Sequence, residues 1–160
     1  MRILMFFVLM VVAYGASASK AMTKSEKKEL RCLALNVYFE ARGERHLGQL
    51  AVAMVTMNRV ESSRFPDSIC RVVWQKRQFS WTHDGKSDRP TDKQAWARAK
   101  QVADFIYHKY VDNNMFSNGA QDLTQGALHF YAPELAAPYW AESKKVTRQI
   151  GGHLFLAEKS

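Results

Sequence analysis

The residue best suited to acid–base chemistry lies near the end of the first predicted helix. Glu40 occurs in the sequence FEARGE, beside an apolar stripe that includes Val37 and Ala41. The C-terminus of a helix is electronegative and apolar neighbours exclude water, and both effects raise the pKa of a carboxyl group. A carboxyl group with a raised pKa can serve as a general acid near neutral pH. The alternative is a surface carboxylate paired with Arg42 or Arg59, because strongly perturbed carboxylates are a minority.

Two helices are predicted to position Glu40. Thr23 and Glu26 have the spacing of a capping box, which begins the first helix. The apolar residues of this helix recur at helical spacing and define one buried face: Leu30, Leu33, Ala34, Val37, Tyr38 and Ala41. Gly43 is predicted to end it. The second helix spans about residues 47–60 and is apolar nearly all round, which predicts a central, buried helix.

The remaining elements predict an α+β fold that is mainly helical, with a small C-terminal β-hairpin. A short third helix is expected to start at a cap formed by Asp67 or Ser68 and to run to Trp74. Residues 76–92 are predicted to form a loop or an irregular hairpin, because they carry charge, Gly and Pro with little periodicity. Residues 113–125 are predicted to be a polar loop.

The C-terminal half contains one further helix and the hairpin. Thr91 and Gln94 form a second capping box, opening a helix that ends near Tyr110. The predicted inner face of this helix comprises Trp96, Ala99, Ala103, Ile106 and Tyr107. Two alternating runs between residues 145 and 157 flank the pair Gly151-Gly152, which predicts a hairpin turn.

The first 18 residues have the organisation of a secretory signal peptide. Arg2 is followed by an apolar run over residues 3–14 and by the small-residue cleavage site Ala16-Ser17-Ala18. The run is shorter than the roughly 20 apolar residues of a membrane span, although a retained membrane anchor is the alternative. We therefore expect one domain over residues 19–160, exported to the periplasm, the cell envelope or the extracellular space, with at most transient membrane contact through the N-terminal segment.

Export also determines how the cysteines and the charge are interpreted. Cys32 and Cys70 are an even pair, which in an oxidising compartment predicts one disulfide; two buried free thiols are the alternative. The formal net charge is +8. A basic surface favours anionic partners, and for an exported protein these are cell-envelope polymers rather than nucleic acid. We expect a monomer.

Five segments, in order along the chain, resemble the spore-cortex-lytic, SleB-type cell wall hydrolase family. They are ALNVYFEARGE at 34–44, GQLAVAMVTMNRV at 48–60, FPDSICRVVWQKRQFSW at 65–81, GALHFYAPELAAPYW at 126–140 and IGGHLF at 150–155. Together they span residues 34–155, which is most of the chain after the predicted signal peptide. The resemblance implies a lysozyme-like helical core, similar to that of lytic transglycosylases. It also implies that the first Glu of EARGE, Glu40, is the catalytic acid.

The implied substrate is peptidoglycan, cleaved between N-acetylmuramic acid and N-acetylglucosamine without a metal or cofactor. In a lytic transglycosylase, Glu40 would protonate the leaving oxygen and then deprotonate the muramoyl 6-hydroxyl, which closes a 1,6-anhydro ring. True hydrolysis needs a second carboxylate, about 5–9 Å away. Glu44, Asp84 and Asp88 are the candidates, and no motif supports them. Glu44 follows the predicted helix stop, so we expect it to be the more exposed glutamate.

The matched segments also contain the aromatic and amide groups that line sugar-binding clefts. The candidate substrate-binding residues are Gln49, Phe79, Ser80, Trp81, Tyr131 and Trp140. Core packing is the alternative for each aromatic residue, because aromatic side chains dominate cores as well as interfaces. Gln49 is favoured among the six because it is an amide at the start of an otherwise apolar helix.

A zinc amidase and a non-catalytic envelope-binding module are the alternatives to this interpretation. A zinc amidase that cuts the muramoyl–alanine bond would need three well-placed ligands. The histidines are scattered and form no HExxH motif; they are His46, His83, His108, His129 and His153. A non-catalytic basic module that binds the envelope would account for the net charge, although the basic residues are spread along the chain rather than clustered.

Overall fold

Four α-helices form the larger part of the fold. The computed structural model describes residues 21–111 and 122–159 of the 160-residue chain. The helices are α1 (Lys24–Ala41), α2 (His46–Glu61), α3 (Ile69–Val73) and α4 (Lys93–Val111). None of the helices in these two ranges is sufficiently long and apolar to cross a membrane. The predicted signal peptide lies outside the described residues.

Helix α2 is the centre of the core, as its sequence predicts. Every residue from Gly48 to Arg59 is buried. Helices α1, α3 and α4 pack against one another or against α2, and the predicted inner face of α1 lies in this interface, with Leu33 and Val37 fully buried. In α4 the predicted face is likewise inward, although Trp96 is only partly buried. A helix that is packed on all sides needs apolar residues on all sides.

Helix α1 begins at the predicted capping box. The Thr23 hydroxyl accepts a hydrogen bond from the Glu26 N–H at 3.2 Å, and the Glu26 carboxylate accepts one from the Thr23 N–H at 2.6 Å. The helix ends at Ala41, two residues before the predicted glycine stop. The Glu44 N–H donates to the Ala41 carbonyl at 3.0 Å, which closes the turn into α2.

Helix α3 is attached to α1 by two kinds of bond. The predicted disulfide is present between Cys32 on α1 and Cys70 on α3. Ser68 is at the N-cap position of α3, but its side chain makes no capping bond. The Cys70 N–H donates instead to the Glu29 carboxylate of α1, at 2.9 Å. The predicted local cap is therefore wrong, because a carboxylate from the neighbouring helix occupies that position.

The cap of α4 also differs from the prediction. Asp92, rather than Thr91, accepts the capping hydrogen bond, from the Ala95 N–H at 2.9 Å. The N–H groups of Thr91 and Asp92 both donate to the Tyr38 hydroxyl, at 3.1 Å each. This arrangement anchors the start of α4 to the last turns of α1. The loop that precedes it contains a 3₁₀ turn at Ser80–Thr82. Most of the predicted loop at 113–125 lies outside the described residues.

A three-stranded antiparallel sheet packs against the face of α2 that carries Ala51, Val52 and Val55. The predicted hairpin consists of β2 (Lys144–Ile150) and β3 (His153–Glu158), and Gly151 in its turn has φ 58°. A third strand, β1 (His129–Tyr131), pairs with β3 to give the order β1-β3-β2; the sequence did not predict it. Phe155 of β3 is fully buried in a cluster with residues of α2. The α+β, mainly helical fold class is confirmed.

Candidate active site

Glu40 lies in the last turn of α1 and is partly buried. A polar network in the core begins one helical turn before it. Asn36, one turn earlier, is fully buried. Its amide donates to the Thr56 hydroxyl of α2 at 3.1 Å, and its carbonyl oxygen accepts from the Trp81 indole N–H at 3.2 Å. Buried polar groups that are fully paired specify a unique arrangement. The network therefore fixes the last turn of α1 relative to α2 and to the loop that carries Trp81.

Arg59, near the end of α2, is the buried cation of the site. Its side chain is 4% exposed, and the guanidinium lies 5.1 Å from the ring centre of Phe65 and 5.0 Å from that of Phe79. The Nε–H donates to the Leu128 carbonyl at 2.7 Å. Nη1 is buried and has no hydrogen-bond partner among the described residues. Two aromatic faces and one carbonyl thus hold a cation whose donors are not all used.

Burial shifts the pKa values of Glu40 and Arg59 toward the neutral form of each group, and the attraction between their opposite charges shifts both back. Burial raises the pKa of Glu40 to about 7, and the attraction of Arg59 partly offsets this increase. Burial likewise lowers the pKa of Arg59 to about 10, against the attraction of Glu40. No oxygen of the carboxylate lies within 4 Å of a guanidinium nitrogen in this pair of described side chains, so no direct ion pair fixes the charge of Glu40. Its proton is therefore available near neutral pH.

Glu44, in the turn between α1 and α2, contacts the hairpin turn between β2 and β3. Its side chain is 19% exposed, and both carboxylate oxygens accept from the Gly152 N–H at 3.3 Å. The Nδ1 atom of His153 lies 3.5 Å from Oε1. A Cβ atom at Gly151 would overlap the same carboxylate. The hairpin turn thus folds back onto Glu44 and leaves it only partly exposed; its greater exposure relative to Glu40 stays a prediction.

Two cavities adjoin the neighbours of Glu40. The first, which we call the aromatic cleft, has a volume of about 380 Å³; its lining includes Phe39, Ser80, Trp81, Asp84 and Asp88. The second, which we call the basic pocket, has a volume of about 290 Å³; its lining includes Arg59, Arg77, His129, Phe130, Trp140 and Lys144. Glu40 is next to Phe39 of the cleft in the chain, and the charge of Arg59 in the pocket acts on its carboxylate. Each cavity therefore contains a residue that adjoins or interacts with the acid.

The predicted substrate-binding residues are distributed unevenly over these cavities. Ser80 is exposed in the aromatic cleft, and Trp140 lines the basic pocket, where Tyr131 contacts it edge to face at 5.9 Å. Trp81 lines the cleft but is 6% exposed and stacks on Phe39 at 4.6 Å. Direct contact with a sugar stays a prediction for each of them.

Gln49 and Phe79 are placed in supporting positions. Gln49 is 3% exposed, and its amide donates to the Glu44 carbonyl at 3.1 Å, which holds the turn between α1 and α2. Phe79 is 3% exposed and lies between Arg59 and the ring of Phe130. Neither side chain is brought to an open surface of the site, and their contact with substrate also stays a prediction.

Several residues of the two cavities were not identified as site residues from the sequence. They are Phe39, Arg59, Arg77, His129, Phe130 and Lys144. The sequence indicates Arg59 only as an alternative ion-pair partner of Glu40, although Arg59 lies in the matched segment that ends NRV. Phe39 precedes Glu40 on α1, and the others come from the turn before the 3₁₀ element, from β1 and from β2, so only the folded chain brings them together.

A larger cavity lies away from this site. It has a volume of about 550 Å³ between α1 and α4. Leu30 and Ala34 form part of its apolar wall, and the cations of Arg31 and Lys100 each lie 5.8 Å from the ring centre of Trp96. None of its lining residues adjoins Glu40. Within residues 21–111 and 122–159, no group of three His, Cys, Asp or Glu side chains is arranged to hold a metal ion.

The burial of Glu40 should be measurable as a pH-dependent cost to stability. Because folding raises the pKa of Glu40 from 4.5 to about 7, the unfolded chain loses this proton first as the pH rises. The stability of the parent should therefore fall, relative to Glu40→Gln, by about 3 kcal/mol between pH 4 and pH 8. Urea unfolding of both proteins across this range measures the difference. A difference that does not change with pH would contradict the burial of an ionisable group at this position.

Comparison with known proteins places the fold and the chain in one family. Two solved structures superpose on the chain: the catalytic domain of the germination-specific lytic transglycosylase SleB from Bacillus anthracis and that of the Bacillus cereus SleB protein. Their TM-scores are 0.65 and 0.64, with 27% sequence identity in each case. The matches cover 88% and 91% of this chain and 100% of the solved domains.

Curated spore cortex-lytic enzymes show a similar degree of likeness. The chain is 35% identical to that of Oceanobacillus iheyensis over 130 residues, 33% to that of Bacillus cereus over 129 and 32% to that of Bacillus subtilis over 127. These matches cover 81%, 81% and 79% of this chain, but only 41%, 44% and 37% of the relatives. The chain thus spans less than half the length of these relatives.

The family match covers most of the described domain. The model of the family described as Cell Wall Hydrolase matches residues 43–156, which include α2, α3, α4 and all of the sheet except the last two residues of β3. The match begins three residues after Glu40, so the role of this residue rests on its environment and on the EARGE resemblance. With more than half of its length matched, and with the same fold as two SleB catalytic domains, this chain belongs to the Cell Wall Hydrolase family.

Proposed function

We propose that this chain degrades peptidoglycan by cleaving the bond between N-acetylmuramic acid and N-acetylglucosamine as a lytic transglycosylase. The observation that carries the proposal is the partly buried carboxyl group of Glu40, with its pKa raised to about 7 by burial. Glu40 follows Phe39 of the aromatic cleft in the chain, and the charge of Arg59 in the basic pocket acts on it. The names of the similar structures and relatives, a lytic transglycosylase and spore cortex-lytic enzymes, support the same substrate and reaction.

The first step uses Glu40 as a general acid. With a pKa of about 7, a large fraction of the carboxyl groups carries a proton at neutral pH. Transfer of this proton to the glycosidic oxygen removes negative charge from the leaving N-acetylglucosamine as the bond to C1 of N-acetylmuramic acid breaks. The sugar ring develops oxocarbenium character, and Glu40 is left as a carboxylate.

The second step uses the same residue as a base. The Glu40 carboxylate takes the proton of the muramoyl 6-hydroxyl, whose oxygen attacks C1 and closes the 1,6-anhydro ring. Glu40 is then protonated again, so one turnover consumes no proton and no water. Arg59 stabilises the carboxylate between the two steps, because its charge acts on Glu40 without a direct ion pair that would keep the group ionised.

The environment of Glu44 favours a mechanism with one carboxylate. A hydrolase needs a second carboxylate near the bond to activate water or to act as nucleophile. Glu44 is already bonded to the hairpin turn through the Gly152 N–H. Asp84 and Asp88 line the aromatic cleft, and this observation favours hydrolysis through one of them as the second candidate function. Its products would have reducing ends instead of anhydro ends.

The aromatic cleft supplies groups of the kind that bind glycan strands. Phe39 and Trp81 form a stacked pair at 4.6 Å in its wall. Ser80 is exposed there and offers a hydroxyl group. Sugars bind to clefts that combine an apolar wall with a few placed polar groups. We infer that one part of the strand occupies this cleft while its scissile bond lies at Glu40.

We infer that the protein acts in the cell envelope after export. The sequence of residues 1–18 and the disulfide between Cys32 and Cys70 both support this location, because disulfides persist in oxidising compartments. N-terminal sequencing of the protein recovered from the envelope of expressing cells should find Ser19 as its first residue. Recovery of the protein with Met1 intact, in the cytoplasm, would contradict export.

Glu40→Gln should abolish most of the activity. Glutamine keeps the shape of the side chain but cannot donate the proton, so the rate of lysis should fall by about 10²–10⁴-fold. Glu44→Gln is the matched control; it keeps an oxygen that can accept from the Gly152 N–H, and we expect most of the activity to remain. Lysis of purified peptidoglycan at pH 6, with unfolding measured in parallel, compares the variants. Near-parental lysis by Glu40→Gln with an inactive Glu44→Gln would transfer the catalytic role to Glu44.

The products distinguish the remaining mechanisms. Mass spectrometry of fragments released in the presence of a chelator should show 1,6-anhydromuramoyl ends, which are lighter by one water than hydrolysed ends. Reducing ends would favour the hydrolase. Free stem peptides, with lysis abolished by the chelator, would favour a zinc amidase. Binding to peptidoglycan without any lysis by the parent would leave only an envelope-binding module.

A further inference from the structure

Beside the basic pocket, the Glu158 carboxylate is shared by two cations, Lys144 and Arg64, and by His129. An oxygen of Glu158 lies 3.0 Å from Nζ of Lys144, and the other lies 3.1 Å from Nε2 of His129. Arg64 pairs with the same carboxylate at 3.2 Å. The bonds from Lys144 and His129 lower the pKa of Glu158 to about 2, so this group is charged at neutral pH. The negative charge of Glu158 is therefore already paired with these neighbours.

The two arginines of the pocket have no carboxylate within 4 Å among the described residues. Arg59 is 4% exposed and keeps a buried Nη1 group without a hydrogen-bond partner. A buried donor that is left unpaired is unfavourable, and a guanidinium group presents parallel N–H donors that match a carboxylate. Arg77 is exposed at the rim. The pocket therefore offers positive charge and free donors to an anionic ligand.

The backbone at Arg77 has an unusual conformation. Its φ is 65°, a left-handed value that is uncommon for residues other than glycine, asparagine and aspartate. The Gln78 N–H donates to the Gln75 carbonyl at 3.1 Å, which closes the turn around it. Residues held in such conformations cluster at ligand-binding loops. The turn thus places Arg77 on the pocket at a conformational cost.

We propose that the basic pocket binds a carboxylate of the peptide stem on N-acetylmuramic acid, and that the enzyme prefers peptide-bearing strands. The inference rests on the proposed function, because the stem is attached to the sugar whose bond is cut. Arg59 lines the pocket and its charge acts on Glu40, so an anionic substituent bound there would interact with the same cation as the acid. Trp140 adds an aromatic face beside the cations, packed against His129 at 5.6 Å.

Binding tests the pocket independently of the chemistry. The probe is a soluble muramoyl tripeptide, titrated by calorimetry into the parent and into Arg77→Asn. Asparagine tolerates a positive φ, so this variant removes the charge with little change to the turn. Its affinity for the probe should be lower by about tenfold, as expected for the loss of a charge-assisted hydrogen bond, and Arg77→Lys should recover part of it. Lys145→Gln, which removes an exposed cation next to Lys144 in the chain, is the matched control and should bind like the parent.

Turnover tests the preference. The substrates are peptidoglycan strands with their stems and the same strands after the stems have been removed by an amidase. For the parent, kcat/KM should be about tenfold higher on the peptide-bearing strands. Arg77→Asn should lose more activity on these strands than on the denuded ones, so that the ratio approaches one. Lys145→Gln should keep the parental ratio.

Each other outcome has a defined meaning. Equal activity of the parent on both strands, or an equal loss on both by Arg77→Asn, would overturn the preference. Failure of the tripeptide to bind, with displacement of a labelled glycan by a phosphate-rich wall polymer instead, would reassign the pocket to phosphate. If the tripeptide binds in an Arg77-dependent manner but neither strand yields anhydro ends, then the proposed reaction fails while the pocket stands.

Discussion

The burial of the Glu40 carboxyl group near Arg59 is the constraint on which the site depends. Loss of water raises the pKa of Glu40 to about 7, and the nearby cation limits the increase. A fully solvated carboxylate would hold no proton at neutral pH, and a direct ion pair would keep it ionised. The structure avoids both by holding Arg59 between two aromatic rings and a backbone carbonyl. The separation of the two charges is therefore what makes one residue usable first as an acid and then as a base.

The rest of the fold maintains this separation from both ends of α2. At its C-terminus, the Asn58 amide donates to Asp122, Thr124 and the Ala127 carbonyl, while Arg59 binds the next carbonyl; together they fix the segment that leads into β1. At its N-terminus, Gln49 holds the turn that carries Glu44, and Glu44 in turn holds the hairpin. The sheet is thus joined to the helical core by polar contacts at the two places where the site is built.

The sequence predicted the helices well because their information is local. Periodicity and capping identified α1 and α2, and Gly151-Gly152 identified the hairpin. The sequence did not predict features that depend on a pairing partner from a distant part of the chain. Strand β1 has three residues, too few to show a hydrophobic period, and it forms by pairing with β3. The cap of α3 comes from Glu29 of another helix. Glu40 was found because its motif is local. The basic pocket was not predicted as a unit, although Trp140 was a candidate, because its residues come from α2, two turns and two strands.

The central claim is that burial keeps Glu40 protonated near neutral pH, and its carboxyl titration tests this most directly. Selective ¹³C labelling of glutamate side chains, with Glu40→Gln used to assign the signal, allows the chemical shift of this one carboxyl group to be followed from pH 3 to pH 9. The account predicts a midpoint at about 7. A midpoint near the ordinary value of 4.5 would show that Glu40 is ionised at neutral pH and would contradict its role as the general acid.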